Sequence, residues 1–236
     1  MIKIVKMAAS SWREASSWQK SGIILVGGAA VAALAWCSYK RYTSNAYQDL
    51  PVDEGFDENS KLVDDLPEKR LLVLGLDNVG KSSFLSCMGG KDLTAKPNPT
   101  EGFNVVCVQT EKISFNTWEI GGSEKVRQYW TNFVDDTDVL VFIVDSSDRD
   151  RLEEAAGELM NLLSDKRLHH VPAVILANKQ DIPDALSPTQ VLEGLCLSEA
   201  TIKKHKIHVV GTQVPWDGKK KGVKEAEHFI FNAIHR

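Results

Sequence analysis

The sequence predicts an α/β fold, with a six-stranded, mostly parallel sheet, one antiparallel edge strand and helices on both faces. Apolar runs at 139–145, 172–178 and 207–211 lack polar alternation, as expected of parallel strands covered on both sides. Helical segments at 150–166 and 221–234 alternate with these strands and supply that cover. In such sheets, ligands bind at the carboxyl ends of the strands.

The first strand, residues 71–74, leads directly into a glycine-rich loop at 75–82. Such glycines let backbone N–H groups surround the phosphates of a nucleotide, while a lysine reaches the β- and γ-phosphates and a serine hydroxyl binds magnesium. A strand-to-helix turn without a ligand is the alternative, but the apolar strand before the loop and the helical pattern after it favour phosphate binding. The residues predicted to contact nucleotide here are Asp77, Asn78, Val79, Gly80, Lys81, Ser82 and Ser83.

A second polar motif, at 178–181, follows the apolar run 173–177. Asp181 can accept hydrogen bonds from the N–H donors of guanine, the Lys179 stem can lie along the ring, and Asn178 can tie this loop to the phosphate loop. Alone, the motif describes a polar turn after a strand. With a phosphate loop upstream it predicts guanine specificity, because adenine offers no matching pair of donors.

A third motif, at 118–123, ends another strand-like run. Its glycine pair lets the backbone approach a γ-phosphate, so Gly122 is a further predicted contact.

In order and spacing these motifs resemble the Arf and Arf-like small GTPases from residue 68 to the C-terminus. Similar segments include Pro99 to Val105, Ile113 to Trp118, Lys125 to Trp130 and Val139 to Arg149. The resemblance implies the P-loop small-GTPase fold, with GTP and GDP as ligands and Mg²⁺ as cofactor. Protein partners would be effectors, an exchange factor and an activating protein.

The resemblance also assigns roles to residues outside the phosphate loop. Thr100 would join Ser82 in the magnesium shell and would sense the γ-phosphate of GTP through its backbone. Glu119 would contact the metal indirectly, through water. The alternative for Thr100 is an ordinary turn or cap residue. An aromatic effector surface would consist of Phe103, Trp118 and Phe133, for which core packing is the alternative.

Two positions in the third motif depart from the family pattern, which has aspartate where this chain has Glu119 and glutamine where it has Ser123. That glutamine orients the water that attacks the γ-phosphate, and a serine hydroxyl is too short for the same geometry. Ser123 therefore predicts weak hydrolysis. The last base-contacting loop differs as well, with Gln213 and Val214 in place of small residues, yet a backbone N–H there can still reach the guanine carbonyl oxygen.

The N-terminal region divides into a basic segment at 1–20, an uncharged stretch at 21–39 and an acidic segment at 40–67 before the domain at 68–236. A helix needs about twenty residues to cross a bilayer, and the uncharged stretch nearly reaches that length. It therefore predicts a single transmembrane anchor. A cleaved signal peptide would export the domain away from GTP, and a packed core helix would carry a polar stripe. The acidic segment is expected to be a flexible tether.

These features predict a single-pass membrane protein with its nucleotide domain in the cytosol. Basic flanks around a moderately apolar stretch suit either the mitochondrial outer membrane or the endoplasmic reticulum. The formal net charge of −4 gives no sign of nucleic-acid binding, and the four cysteines show no metal-site spacing.

Two functions fit the sequence. The first is a membrane-anchored guanine-nucleotide switch with weak intrinsic GTP hydrolysis that recruits effectors when GTP is bound. The second is a pseudo-GTPase scaffold that binds nucleotide constitutively or not at all.

Overall fold

The computed structural model describes residues 4–7, through the backbone alone, and residues 66–90, 97–109 and 113–234. Within these residues, seven strands form one sheet: β1 Ile4–Met7, β2 Glu68–Leu74, β3 Phe103–Gln109, β4 Ser114–Ile120, β5 Val139–Asp145, β6 Ala173–Asn178 and β7 His208–Gly211. The helices of the described residues are α1 Lys81–Met88, α2 Glu124–Arg127, α3 Leu152–Ser164, α4 Pro188–Gly194, α5 Glu199–Lys204 and α6 Val223–Ile234. Short 3-10 helices span Trp130–Phe133 and Lys166–Leu168.

The strands lie in the order β1-β3-β4-β2-β5-β6-β7. From β4 to β7 all neighbours are parallel, and β3 runs antiparallel to β4. The six predicted strands and the antiparallel position of β3 are therefore confirmed. A seventh strand that the sequence did not predict, β1, pairs antiparallel with the outer side of β3, with Ile4 opposite Val108. This strand comes from the segment that the sequence placed outside the sheet.

The centre of the sheet is the core of the domain. Every residue of β5 and β6 is buried, as the unbroken apolar runs predicted. Helix α3 packs against β5, and α6 packs against β5, β6 and β7. Both helices bury a stripe of alanine and branched aliphatic side chains, which is why these amphipathic segments fold onto the sheet.

No helix within the described residues is long and apolar enough to cross a membrane. The predicted anchor at 21–39 lies outside those residues, as does nearly all of the predicted acidic tether.

Candidate nucleotide site

The three predicted motifs meet at the carboxyl edge of the parallel strands. The phosphate loop follows β2, the glycine pair follows β4, and the guanine motif begins at the end of β6. The strand order places β2 between β4 and β5, so loops distant in sequence become neighbours.

Asn178 connects the base loop to the phosphate loop. Its buried side-chain amide donates to the Val79 carbonyl at 2.7 Å, and its side-chain oxygen accepts from the Thr212 hydroxyl at 3.1 Å. A Cβ on Gly80 would lie 2.5 Å from the same amide nitrogen, so this approach requires glycine. Asn178 thus holds three loops together, one more than the sequence predicted.

Lys81 lies at the centre of the phosphate loop with 6% of its surface exposed. Its ammonium group donates to the carbonyls of Gly75 at 2.9 Å and Leu76 at 2.8 Å. Burial lowers the pKa of Lys81 from 10.5 to about 8, although the carboxylates of Glu119 and Asp77 oppose that shift. Both acceptors are neutral, so the buried positive charge is suited to an anionic ligand.

The backbone of the phosphate loop adopts left-handed conformations at Gly75, Asn78 and Gly80, with φ values of 143°, 60° and 94°. A Cβ on Gly75 would come within 2.3 Å of the Ile143 carbonyl oxygen, so the chain can pass β5 only with glycine there. Arg151 fixes the outer side of the loop by pairing with Asp77 at 3.0 Å, a contact with no signal in the sequence.

The predicted magnesium ligands converge. The Ser82 hydroxyl lies 2.5 Å from Glu119 Oε1, the Thr100 hydroxyl lies 3.0 Å from the same oxygen, and the two hydroxyls are 3.2 Å apart. Glu119 is 1% exposed, and its other oxygen accepts from the Asn104 amide at 3.3 Å. Hard oxygen donors of this kind suit Mg²⁺.

The glycine pair after β4 packs tightly against the phosphate loop. A Cβ on Gly122 would lie 2.2 to 2.4 Å from backbone atoms of Leu76, Gly75 and Asp77. The Trp130 indole donates to the Gly121 carbonyl at 2.9 Å and holds the loop from the other side. Ser123 follows as an exposed residue that precedes α2 and makes no side-chain capping bond.

The base-side loops occupy the adjacent part of the edge. Lys179 pairs with the Asp145 carboxylate at 2.5 Å and has a φ of 67°. Asp181 is exposed, whereas Val214 is buried. The backbone of Gln213 pairs with that of Lys221, so the last loop begins a short hairpin. Sequence reasoning missed Asp145 as the partner that positions Lys179, although its place at the end of a buried strand was a usable signal.

The three predicted effector aromatics form one cluster, which we call the aromatic cluster. Ring centroids lie 5.7 Å apart for Phe103 and Trp118, 5.8 Å for Phe103 and Phe133, and 6.2 Å for Trp118 and Phe133. The Arg70 guanidinium lies 4.5 Å from the centroid of the Trp118 ring. Trp118 is only 4% exposed, while Phe103 and Phe133 are half-buried, so the cluster is part core and part surface.

The fold and these loops define a P-loop small GTPase of the Arf-like type. The model of the ADP-ribosylation factor family matches residues 57–234, and the chain belongs to that family. Membership assigns guanine nucleotides to the site as ligands.

Similar proteins support the assignment. The chain is 42% identical over 138 residues to ADP-ribosylation factor-like protein 2 of Arabidopsis thaliana, covering 58% of this chain and 74% of the relative. It is 40% identical over 131 residues to ADP-ribosylation factor-like protein 3 of Chlamydomonas reinhardtii, covering 56% and 73%. The Arl6 BBS3 small GTPase of Trypanosoma brucei, solved with the nucleotide analogue GppNp, superposes with a TM-score of 0.64 at 25% identity, over 72% of this chain and 98% of that one.

Proposed function

We propose that the protein is a membrane-anchored guanine-nucleotide switch that binds GTP and GDP, hydrolyses GTP weakly and recruits effectors in its GTP-bound form. One contrast carries this proposal. The groups that would bind nucleotide are assembled around the buried Lys81, whereas the position that would orient the attacking water holds the short, exposed Ser123.

For binding, Lys81 and the backbone N–H groups of the phosphate loop would hold the phosphates. Asp181 would accept from the guanine donors, and a backbone N–H of Gln213 or Val214 would meet the base carbonyl. Ser82 and Thr100 would hold Mg²⁺ directly and Glu119 would contact it through water, and the cation neutralises phosphate charge when bound. Switching would follow because the loops that carry Thr100 and Gly122 would approach the γ-phosphate.

Turnover would then depend on an activating protein. A side chain as short as that of Ser123 cannot reach a water at the distance spanned by glutamine, so intrinsic release of phosphate would be slow. Effectors would bind the aromatic cluster through the exposed parts of Phe103 and Phe133.

A scaffold that does not switch is the second candidate. Direct hydrogen bonds from Ser82 and Thr100 to Glu119 favour it, because they join the phosphate loop to the segment before β3 through protein groups alone. In that case the aromatic cluster would keep one shape with either nucleotide.

Membrane anchoring through residues 21–39, in the mitochondrial outer membrane or the endoplasmic reticulum, is part of the proposal. A helix of that length crosses a bilayer once, since about twenty residues span the apolar core. A single crossing would separate residues 4–7 from a cytosolic nucleotide domain, so the proposal requires that β1 leave β3 when the anchor inserts into the membrane. Protease protection of an N-terminal tag in intact organelles tests this: protection supports the anchor, and cleavage supports the paired strand.

The proposed switch is tested with the full chain purified in detergent. Fluorescent GTP and GDP are titrated with and without magnesium, and phosphate release is followed in a single turnover. Tight magnesium-dependent binding with very slow release is expected. Failure to bind either nucleotide supports the scaffold. Fast phosphate release would show that Ser123 does not slow GTP hydrolysis.

A further inference from the structure

The side chain of Glu119 reaches the phosphate loop and contacts both hydroxyls that are assigned to the metal. One of its carboxylate oxygens is within hydrogen-bonding distance of both hydroxyls assigned to the metal, at 2.5 Å from Ser82 and 3.0 Å from Thr100. The hydroxyls themselves are 3.2 Å apart. Three hard oxygen atoms therefore form a compact triangle on one side of the site.

The three oxygen–oxygen distances of this triangle, 2.5, 3.0 and 3.2 Å, lie on both sides of the ligand spacing in a magnesium coordination shell. Mg²⁺ requires near-octahedral geometry with bonds of about 2.0–2.1 Å, which puts neighbouring ligand oxygens about 2.9 Å apart. The aspartate that the family resemblance gives for this position is one methylene shorter. Burial of Glu119 and its contact from Asn104 keep the longer carboxylate in place.

We propose that Glu119 binds the divalent cation directly, beside Ser82 and Thr100, and takes a position that a water molecule would fill if the residue were aspartate. This inference rests on the proposed nucleotide and magnesium binding. The bound cation would carry one water fewer than in a Glu119→Asp variant. The cation would also leave more slowly, because a buried carboxylate holds it in place of an exchangeable water.

Mn²⁺ provides the probe, because pulsed EPR in isotopically labelled water counts the waters bound to it. The full chain in detergent is loaded with GppNp and Mn²⁺, and the water number is compared with that of Glu119→Asp. We expect one additional water in the variant and faster release of Mn²⁺ into a chelator. Equal water numbers in two loaded proteins would overturn the inference and leave nucleotide binding intact.

A matched control separates coordination from a general effect of shortening a glutamate. Glu153 is exposed on α3, so Glu153→Asp should leave the water number unchanged. Glu119→Gln keeps the length and removes the charge, and should weaken Mn²⁺ binding more than Glu119→Asp does. If the wild type binds neither GppNp nor Mn²⁺, both the inference and the proposed switch are overturned.

A second inference comes from residues 213–221, which we call the basic hairpin. Two backbone bonds between Gln213 and Lys221, of 3.1 and 3.0 Å, close it, and the Gln213 amide donates to the Lys219 carbonyl at 2.6 Å. Gly222 follows with a φ of 75°, and a Cβ there would meet the Gly211 carbonyl oxygen. The hairpin is therefore stabilised by hydrogen bonds between its own residues.

The basic hairpin combines an exposed indole with concentrated positive charge. Trp216 is 52% exposed, whereas Trp118 and Trp130 are buried. Lysines occupy positions 219, 220 and 221, against the single acid Asp217. Tryptophan favours the headgroup region of a bilayer, and lysines near it are attracted to anionic lipid.

We infer that the basic hairpin contacts an anionic membrane surface, with Trp216 at the headgroup level. The full chain is reconstituted into phosphatidylcholine vesicles with or without phosphatidylserine, and brominated lipids quench tryptophans that touch the bilayer. Subtracting the signal of Trp216→Phe isolates this one side chain. Quenching of Trp216 is expected only with phosphatidylserine.

Replacing Lys219, Lys220 and Lys221 by glutamine should abolish that quenching, and so should high salt, because both remove the electrostatic attraction. Exposed Lys203 and Lys204 on α5 provide the matched control, and their replacement by glutamine should change nothing. Equal quenching in neutral and anionic vesicles, or none in either, would overturn the inference.

Discussion

The phosphate loop and the loop after β4 lie in contact, but only the first has every residue type that its expected role requires. In the phosphate loop the buried Lys81 is held by two carbonyls, and Asn178 ties the backbone to the base loop. In the loop after β4 the glycine pair fits closely against its neighbour, yet the next residue is the exposed Ser123. In the proposed switch, binding and turnover would therefore depend on separate groups of atoms, so that one could be kept while the other is weakened.

The largest expected effect is a loss of nucleotide binding in the phosphate loop. Lys81→Ala removes the buried cation over the phosphates, and GTP affinity should fall by about 100-fold or more. Titration with fluorescent GTP measures the loss. Lys206→Ala changes an exposed lysine elsewhere and should bind as the wild type does. Unchanged affinity in Lys81→Ala would show that the phosphate loop holds no nucleotide.

A pH series probes the same lysine without changing its neighbours. The pKa of Lys81 is lowered from 10.5 to about 8, so between these values the unfolded chain binds a proton that the folded protein does not. The free energy of unfolding without nucleotide should therefore rise over this range, by about 3 kcal/mol in total, and be flat below it. Urea unfolding across the range measures the rise.

In Lys81→Met that rise should vanish, since no proton is released there on folding. GTP affinity of the wild type should fall above pH 8 as the ammonium is lost. A wild type and a Lys81→Met variant with parallel stability curves would show that the lysine is not buried as described.

Asn178→Ala cuts the connection between the two binding loops. It leaves the Val79 carbonyl and the Thr212 hydroxyl without their partner, so the protein should lose about 1–3 kcal/mol of stability. Chemical unfolding checks this, with Asn161→Ala on the exposed side of α3 as the control. Equal stabilities would mean that the loops hold each other without Asn178.

Ser123→Gln has the smallest expected effect, and it should raise the rate of GTP hydrolysis. Single-turnover phosphate release should rise about tenfold, equivalent to about 1.4 kcal/mol of activation free energy. Nucleotide affinity should not change, because Ser123 lies outside the phosphate loop. An unchanged rate would show that hydrolysis is limited by Glu119 or by the lack of an arginine from an activating protein, and not by Ser123.

Local patterns were enough to predict most of the fold. The unbroken apolar runs identified β5 and β6, and the predicted helices at 150–166 and 221–234 were confirmed as α3 and α6 with ends shifted by about two residues. The added strand β1 was not predicted, because it lies far from β3 in sequence and pairing in a sheet depends on register rather than on local pattern.

The sequence by itself determined which residues form the phosphate loop and the motif at 178–181, and that Ser123 stands where the family pattern has glutamine. Each is a short segment whose chemistry depends on residue type and spacing. Only the tertiary structure decided how far Glu119 reaches towards Ser82 and Thr100, and that Trp118 is mostly core rather than surface. Both depend on distances between strands and loops that are remote along the chain, which packing determines and spacing does not.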